Sequence, residues 1–375
     1  MEEEPVGLNT RKPKVRPNVD PTYTRPEFDP NCLCNGENFC FRGIDDYGEV
    51  QRGRPFDCAL YAGLAANGLL ERDAQRAAHH FDTIDPAECS PVFVSAVSSN
   101  HMGEMRVFVR NISAYYPRSK FLIFDIGLAE WDLVELKGWC NVEYRRFDFA
   151  AYPPHVAQLR SYAFKLAIIE ALQEHKTFFF FDASIRLTAA SLGDFIRGAQ
   201  DGRLLPQTAG LFTVHSVFAA THPAMYRFLP LPLLVAQVPQ LQATAQFVSD
   251  SPYTRHVLKW YLCAMTPECI APPGSTGRCR LQDYADRHRT YMKCHRFDQS
   301  LSDLIGLSFL YGEQRGALKM GYTTRNWTFL DEKEVVEIDW RRRQALQSFF
   351  STLRIKRRDV QLDRLELPCG PFSGN

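Results

Sequence analysis

The residues best placed to do chemistry follow a run of phenylalanines. Phe178–Phe181 gives way at once to Asp182-Ala183-Ser184-Ile185-Arg186. A charge abutting such a run must lie at the wet end of a strand or bind something. There the Asp182 carboxylate suits a divalent cation or a ribose hydroxyl, and such a cation neutralises a leaving diphosphate. Arg186 adds a guanidinium for the same phosphates. The competing reading is local: Asp182 caps the next turn and Arg186 pairs with it at the surface.

Two more constellations stand near this one in the chain. Over 156–174, Tyr162, Phe164, Leu166, Ile168, Ile169 and Leu172 cover most of the circumference of a predicted helix, with Lys165 falling between Ile169 and Leu172. A lysine so embedded snorkels, pairs or reaches an anion. The helix immediately precedes the Asp182 strand, so its first half approaches the same place. Further on, Cys294-His295-Arg296-Phe297-Asp298-Gln299-Ser300 opens a predicted helix over 297–309. His295 and Asp298 are three apart and project to one side. Such a pair binds acceptor hydroxyls or acts as general base. The alternative makes Asp298 an ordinary first-turn carboxylate and His295 a structural hydrogen bonder.

The elements that position these groups read as α/β. Val92–Val97, Phe121–Phe124, Val142–Phe147 and Phe178–Phe181 are short strands, apolar enough for a parallel sheet covered on both faces. Between them, helical spacing runs from Met105 to Tyr115, Glu130 to Lys137 and Val156 to Glu174, with Ser98-Ser99-Asn100 supplying an N-cap. Another helix starts near Ser191. Leu211–Val214 and Val217–Ala220 read as paired strands. Residues 228–252 read as an irregular loop in which Gln242, Gln246 and Asp250 touch a sugar or simply solvate the chain. Helices are expected near Tyr253–Met265 and Phe297–Phe309. Ligands of open α/β sheets sit outside the carboxyl ends of the strands, which here read Ser95–Asn100, Asp125-Ile-Gly127 and Asp182–Arg186.

Composition bounds the rest. The 375 residues carry a net charge of +1 and 45% hydrophobic residues, an ordinary globular balance. A nucleic-acid binder relying on phosphate neutralisation would show a basic excess. No apolar run reaches the roughly 18–20 residues that span a bilayer, and Met-Glu-Glu-Glu is no signal peptide, so no membrane anchor is expected in this chain. Pro5, Pro13, Pro17, Pro21, Pro26 and Pro30 mark residues 1–31 as a tail or stalk, and 32–90 as a Cys-bearing extension packed on a main domain at 91–330. Residues 331–375 form a helical, basic C-terminal tail. Eleven cysteines without a C-x-x-C argue for disulfides over zinc, at least one being left over. Asn111-Ile-Ser and Asn326-Trp-Thr are glycosylation triplets. No G-x-G-x-x-G, G-x-x-x-x-G-K-[ST], H-E-x-x-H or G-x-S-x-G occurs, which sets aside dehydrogenase, P-loop, zincin and α/β-hydrolase readings.

Taken in order, Arg146–His155, Tyr162–Lys165, Phe181–Arg186, His215–His222, Leu262–Pro272 and Cys294–Ser300 resemble one largely uncharacterised animal family of the nucleotide-diphospho-sugar transferase superfamily, with a GT-A-like fold. The resemblance covers about residues 32–325. It implies a glycosyltransferase that uses a nucleotide-sugar donor, UDP-sugar favoured, and a glycan or glycoconjugate acceptor, in the Golgi lumen or secretory pathway. It places Ser95 and Asp125 near the base and ribose. Lys165, Ser184 and Arg186 come to the diphosphate or sugar. Asp182 becomes the metal or ribose carboxylate, and Asp298 with His295 lies on the acceptor side. It also implies disulfides joining Cys263 or Cys269 to Cys279 or Cys294. One departure matters: the usual Asp-x-Asp reads Asp182-Ala183-Ser184 here, and a hydroxyl is a poorer ligand than a carboxylate for Mn2+ or Mg2+. That departure sustains the alternative of a non-catalytic domain of the same fold that binds a nucleotide sugar or glycan. A nucleotidyltransferase would want a basic, Gly-rich loop after the first strand, and Ser98–Gly103 has no Lys or Arg.

Overall fold

The computed structural model describes residues 30–45, 50–87, 91–314 and 353–355. Nearly all of the expected N-terminal stalk and C-terminal basic tail lies outside the described residues. The N-terminal segment comprises the hairpins β1 (Leu33–Cys34)–β2 (Glu37–Asn38) and β3 (Arg42–Ile44)–β4 (Val50–Arg52), then the short helices α1 (Tyr61–Ala66) and α2 (Glu71–Arg76). Disulfides Cys32–Cys40 and Cys34–Cys58 tie it together.

The main body alternates β5 (Val92–Val97), α3 (Met102–Tyr115), β6 (Lys120–Asp125), α4 (Glu130–Lys137), β7 (Val142–Arg146), α5 (Ala167–Glu174) and β8 (Thr177–Phe181). There follow β9 (Ile185–Leu187), α6 (Gly193–Gln200), β10 (Gln207–Ser216), β11 (Pro239–Ser249), α7 (Pro252–Lys259), α8 (Pro267–Ile270), α9 (Phe297–Gln314) and β12 (Leu353–Ile355), which pairs with β9. Six strands form one sheet in the order β10-β11-β8-β5-β6-β7. β8, β5, β6 and β7 run parallel, and β11 pairs antiparallel with both β8 and β10. The protein is therefore α/β.

Side chains alternate across a strand, so each apolar strand feeds two cores. Val94, Leu122, Phe178 and Phe180 point to one face, beneath α5, α7 and α9. Phe93, Phe121, Phe179 and Phe181 point to the other, beneath α3 and α6. The N-terminal segment belongs to the first core: Phe41 meets Trp260 and Phe309, and Phe56 stacks on Phe228.

Several expectations need correction. The helix expected over 156–174 is broken. Three 3-10 turns, Pro154–Ala157, Leu159–Ser161 and Ala163–Leu166, precede α5, and Tyr162 between them is left-handed at φ 57°. Apolar spacing of three and four residues does not tell 3-10 turns from α-helix. Val217–Ala220 is not a strand: β10 ends at Ser216 and takes β11 as its partner. Gln242 and Gln246 lie on β11, in what was expected to be a loop. Asp250 is held by Arg255 at 2.7 Å and Lys176 at 3.3 Å. The serines before α3 do not cap it; Ser98 Oγ bonds Asn100 Oδ1, and Ser99 Oγ accepts from Ala129 N. The Asn111 amide is engaged with both the N–H and the carbonyl of Leu187, so that triplet is spoken for, and Asn326 lies outside the described residues. The disulfides near the site are Cys263–Cys269 and Cys279–Cys294, not links between those two pairs.

The N-terminal segment approaches the body too closely for any side chain at two glycines. A Cβ on Gly43 would lie 1.9 Å from the Pro230 carbonyl oxygen, and one on Gly53 1.9 Å from that of Phe228. Gly43→Ala is expected to cost about 1–3 kcal/mol through overpacking. Gly63→Ala, on α1 with open space around it, is expected to be neutral or slightly stabilising. Urea unfolding midpoints of the two variants check this; equal midpoints would mean the segment is not docked as described.

Candidate active site

The site is assembled where β8 ends. The Asp182 backbone N–H donates to the Thr244 carbonyl at 2.8 Å, so the chain leaves the strand still registered to β11. The Asp182 carboxylate turns to Lys165, with Oδ1 3.2 Å from Nζ. Lys165 sits in the turn just after the left-handed Tyr162. From the opposite side comes Asp298, in the first turn of α9, with Oδ2 2.7 Å from the same Nζ. The Ala243 carbonyl accepts the third hydrogen bond at 2.7 Å. An ammonium has three protons, and these three oxygens match them.

Lys165 is 4% exposed. Burial alone would pull its pKa down, but the Asp182 and Asp298 charges and hydrogen bonds overcome that and hold it above the ordinary lysine value. Opposite unit charges at 4 Å attract by about 4 kcal/mol at an effective dielectric near 20. The ammonium is therefore a fixed charge.

It forms part of the wall of a cleft of about 510 Å³, lined also by Arg160, Tyr162, Thr244, Ser275–Arg278 and Arg296–Gln299. Arg160, Arg278, Arg296 and Lys165 bring four cations to face the two carboxylates. The Cys279–Cys294 disulfide and the His295 N–H to Thr276 carbonyl bond fasten the 275–278 loop beside the start of α9. Two buried polar atoms on the wall, Thr244 Oγ1 and Gln299 Oε1, find no hydrogen-bond partner among the described residues. Orphaned acceptors and donors of this kind are costly unless something fills them. Tyr162 and Phe297, whose rings are 6.4 Å apart, both have left-handed backbones, with φ 57° and 32°. Strain in non-glycine residues collects at sites whose geometry is otherwise fixed.

Of the residues singled out in the sequence, Lys165, Asp182 and Asp298 come together in this cleft. Four others do not line it. Ser95 is fully buried and donates to the Phe181 carbonyl. Asp125 accepts from the Gly127 and Leu128 N–H groups and from the Tyr144 hydroxyl, so it shapes the turn after β6. Ser184 is buried. Arg186 is 4% exposed and donates to the carbonyls of Ala183, Ile185 and Glu104, which turns its guanidinium into the fold under α3.

His295 is corrected as a candidate base. It is fully buried; Nδ1 accepts from the His222 N–H at 3.1 Å and Nε2 bonds the Ile270 carbonyl at 3.0 Å. The left-handed Phe297 intervenes before Asp298, so the helical spacing that put both side chains on one face does not apply. Thr244 and Arg278 are cleft residues that the sequence reading missed, and Gln299 was seen only as part of a motif. Thr244 announces itself only through its register opposite the end of β8.

With Lys165 in place, the oxygens at Asp182 are taken and do not admit a hard divalent cation. Ser184 is off the cleft, and both carboxylates that line it hold the Lys165 ammonium. Among the described residues, one group of three acidic or histidine side chains converges elsewhere, Glu143, Glu174 and His175. Arg145 bridges the two glutamates there at 2.5 Å each.

A family described as a protein of unknown function, DUF1647, matches residues 32–170. No curated protein matches the chain. Several solved structures to which the chain is similar are glycosyltransferases. One is the galactosyltransferase LgtC in complex with donor and acceptor sugar analogs, 12% identical, at TM-score 0.34 over 64% of this chain and 84% of that one. Another is the mannosyltransferase PcManGT from Pyrobaculum calidifontis with GDP-Man and Mn2+, 12% identical, at TM-score 0.30 over 78% and 95%. The bifunctional glycosyltransferase WbbM is 11% identical, at TM-score 0.32 over 59% and 38%.

Burial drives the His295 pKa from 6.5 down to about 3. Between those values the unfolded chain takes up a proton that the native state refuses. Stability therefore falls as pH drops through that window, by about 1.4 kcal/mol per unit for one proton. Urea unfolding at stepped pH should give a shallower acid slope for His295→Gln than for the wild type. Identical slopes would show that His295 is not held neutral.

Proposed function

We propose that the protein transfers a glycosyl group from a nucleoside diphosphate sugar, with uridine diphosphate as the favoured nucleotide, to a hydroxyl of a glycan or glycoconjugate. The observation that carries this reading is the cleft at the carboxyl end of β8, which presents four cations, two carboxylates and two orphaned polar atoms together. A nucleoside diphosphate is a compact polyanion, and guanidinium groups bind its oxygens in bidentate fashion. Sugar hydroxyls both donate and accept, which matches Thr244 Oγ1 and Gln299 Oε1.

In the reaction the bond from the sugar C1 to the diphosphate oxygen breaks, and the acceptor oxygen bonds to C1. The acceptor proton passes to a carboxylate, the role we give Asp298. Arg160, Arg278 and Arg296 stabilise the charge that develops on the departing diphosphate, while Lys165 offsets the carboxylate charge beside it. The disulfides persist in oxidising surroundings, so we place the reaction in the secretory lumen, with the Golgi as the expected station.

A second reading is a domain that binds a nucleotide sugar without turnover. The observation in its favour is that Asp182 and Asp298 are both already neutralised by Lys165. Donor hydrolysis and thermal stabilisation by UDP, GDP and CMP separate the two. One nucleotide is expected to stabilise the chain, by about 2.7 kcal/mol at a hundredfold its dissociation constant. Asp298→Asn should keep that stabilisation and lose turnover by about 10²–10⁴-fold. Binding without any turnover in the wild type would leave the second reading standing. No stabilisation by any of the three would sink both.

A further inference from the structure

Resting on the reading of the cleft as a donor site, we propose that Lys165 is the built-in cation of that site, standing where a divalent metal ion would otherwise be held, so that the nucleoside diphosphate binds without metal. The three oxygens around Lys165 Nζ are those a hard cation would choose: two carboxylates, Asp182 and Asp298, and one backbone carbonyl, Ala243. Their distances of 3.2, 2.7 and 2.7 Å are those of N–H···O bonds to an ammonium. Manganese or magnesium would need oxygens at about 2.0–2.2 Å and would have to displace the ammonium to reach them.

The lysine is not positioned as an afterthought. The chain leaves the expected helix, turns through the left-handed Tyr162 and only then delivers Lys165, at 4% exposure, to the end of β8. An ordinary surface lysine would keep its ammonium in water. Ser184, two residues past Asp182, is buried off the cleft and adds no further ligand beside Asp182. With Lys165 offsetting the carboxylates, Arg160, Arg278 and Arg296, which line the cleft, are the cations left to meet the phosphates. No proton leaves Lys165 in this scheme. It stays an ammonium while the C1–O bond to the diphosphate breaks, and the leaving group departs with its charge matched by fixed protein cations.

The test uses the oxidised chain, with manganese alone and UDP as probes. Electron paramagnetic resonance reads free Mn2+; a parallel titration reads UDP affinity with EDTA or with manganese. For the wild type, the free-manganese signal should equal that of protein-free samples at each UDP concentration, since UDP alone chelates some Mn2+, and UDP affinity should differ by less than about twofold between EDTA and manganese, well under the tenfold that corresponds to 1.4 kcal/mol. Lys165→Ala exposes two carboxylates and a carbonyl to one another. It should bind Mn2+, recover its lost thermal midpoint when manganese is added, and lose at least about tenfold in UDP affinity in EDTA.

The proposal is overturned if wild-type UDP binding requires manganese and Asp182→Asn abolishes that manganese binding. If UDP binds under neither condition, the donor reading fails, and the manganese titration of the variants alone decides the cation. A folded Lys165→Ala that takes up no manganese then overturns the proposal. Should Lys165→Ala not fold, Lys165→Gln, which keeps a hydrogen-bond donor to the Ala243 carbonyl, serves in its place.

Discussion

One buried ammonium organises this molecule. Lys165 Nζ is bonded by Asp182 from the end of β8, by Asp298 from the start of α9 and by the Ala243 carbonyl from β11. Three separate stretches of chain thus share one charge. A buried ion cluster is not a cheap way to hold a fold, since apolar side chains of the same volume often serve as well. Removing Lys165 is another matter, because it strands two uncompensated carboxylates, at a cost of about 3–5 kcal/mol. The arrangement constrains everything around it while contributing little net stability, as expected of a group kept for what it does to a ligand.

The rest of the fold can be read as the means of presenting that charge. The strands β8, β5 and β6 are apolar on both faces, so the two cores under the sheet are complete without the cleft carboxylates. Polar chemistry is confined to the end of β8, where the sheet stops and backbone groups need other partners. The antiparallel β11 continues past that end, and its Thr244 comes to lie beside Asp182. Left-handed backbone at Tyr162 and Phe297 immediately adjoins the stretches that deliver Lys165 and Asp298.

The sheet was the legible part of the sequence. Val92–Val97 is the strand its apolar run implies, and Met105–Tyr115 falls within α3, because long apolar runs and amphipathic spacing decide local structure when nothing competes. The site was half legible. Lys165 and Asp182 stood out because a charge amid phenylalanine and isoleucine needs a reason. Arg186 and His295 misled for one cause: a polar residue beside a motif can equally serve the backbone. Arg186 satisfies carbonyls under α3, and His295 satisfies one N–H and one carbonyl. Sequence spacing shows neither choice in full, because the bonds from Arg186 to Glu104 and from His295 to Ile270 and His222 join residues 25 to 82 apart. Thr244 was illegible for a related reason, since β11 lay in a stretch whose prolines and leucines hid the strand.

The disulfides extend the same logic to the cell. Cys279–Cys294 closes the loop whose residues 276–278 form one wall of the cleft, and it does so directly beside His295 and Arg296. Cys263–Cys269 closes the turn that leads into α8, whose Ile270 carbonyl holds the His295 ring. Oxidation therefore acts on the wall that faces Lys165 rather than on the sheet beneath it. With both links made, Arg278, Arg296 and Gln299 are held against the start of α9 at no further entropic cost when a ligand arrives. Both links lie within the part of the chain that carries the wall, so reducing conditions loosen the wall around Lys165. Compartment and site geometry are in that sense one constraint, imposed through two covalent bonds.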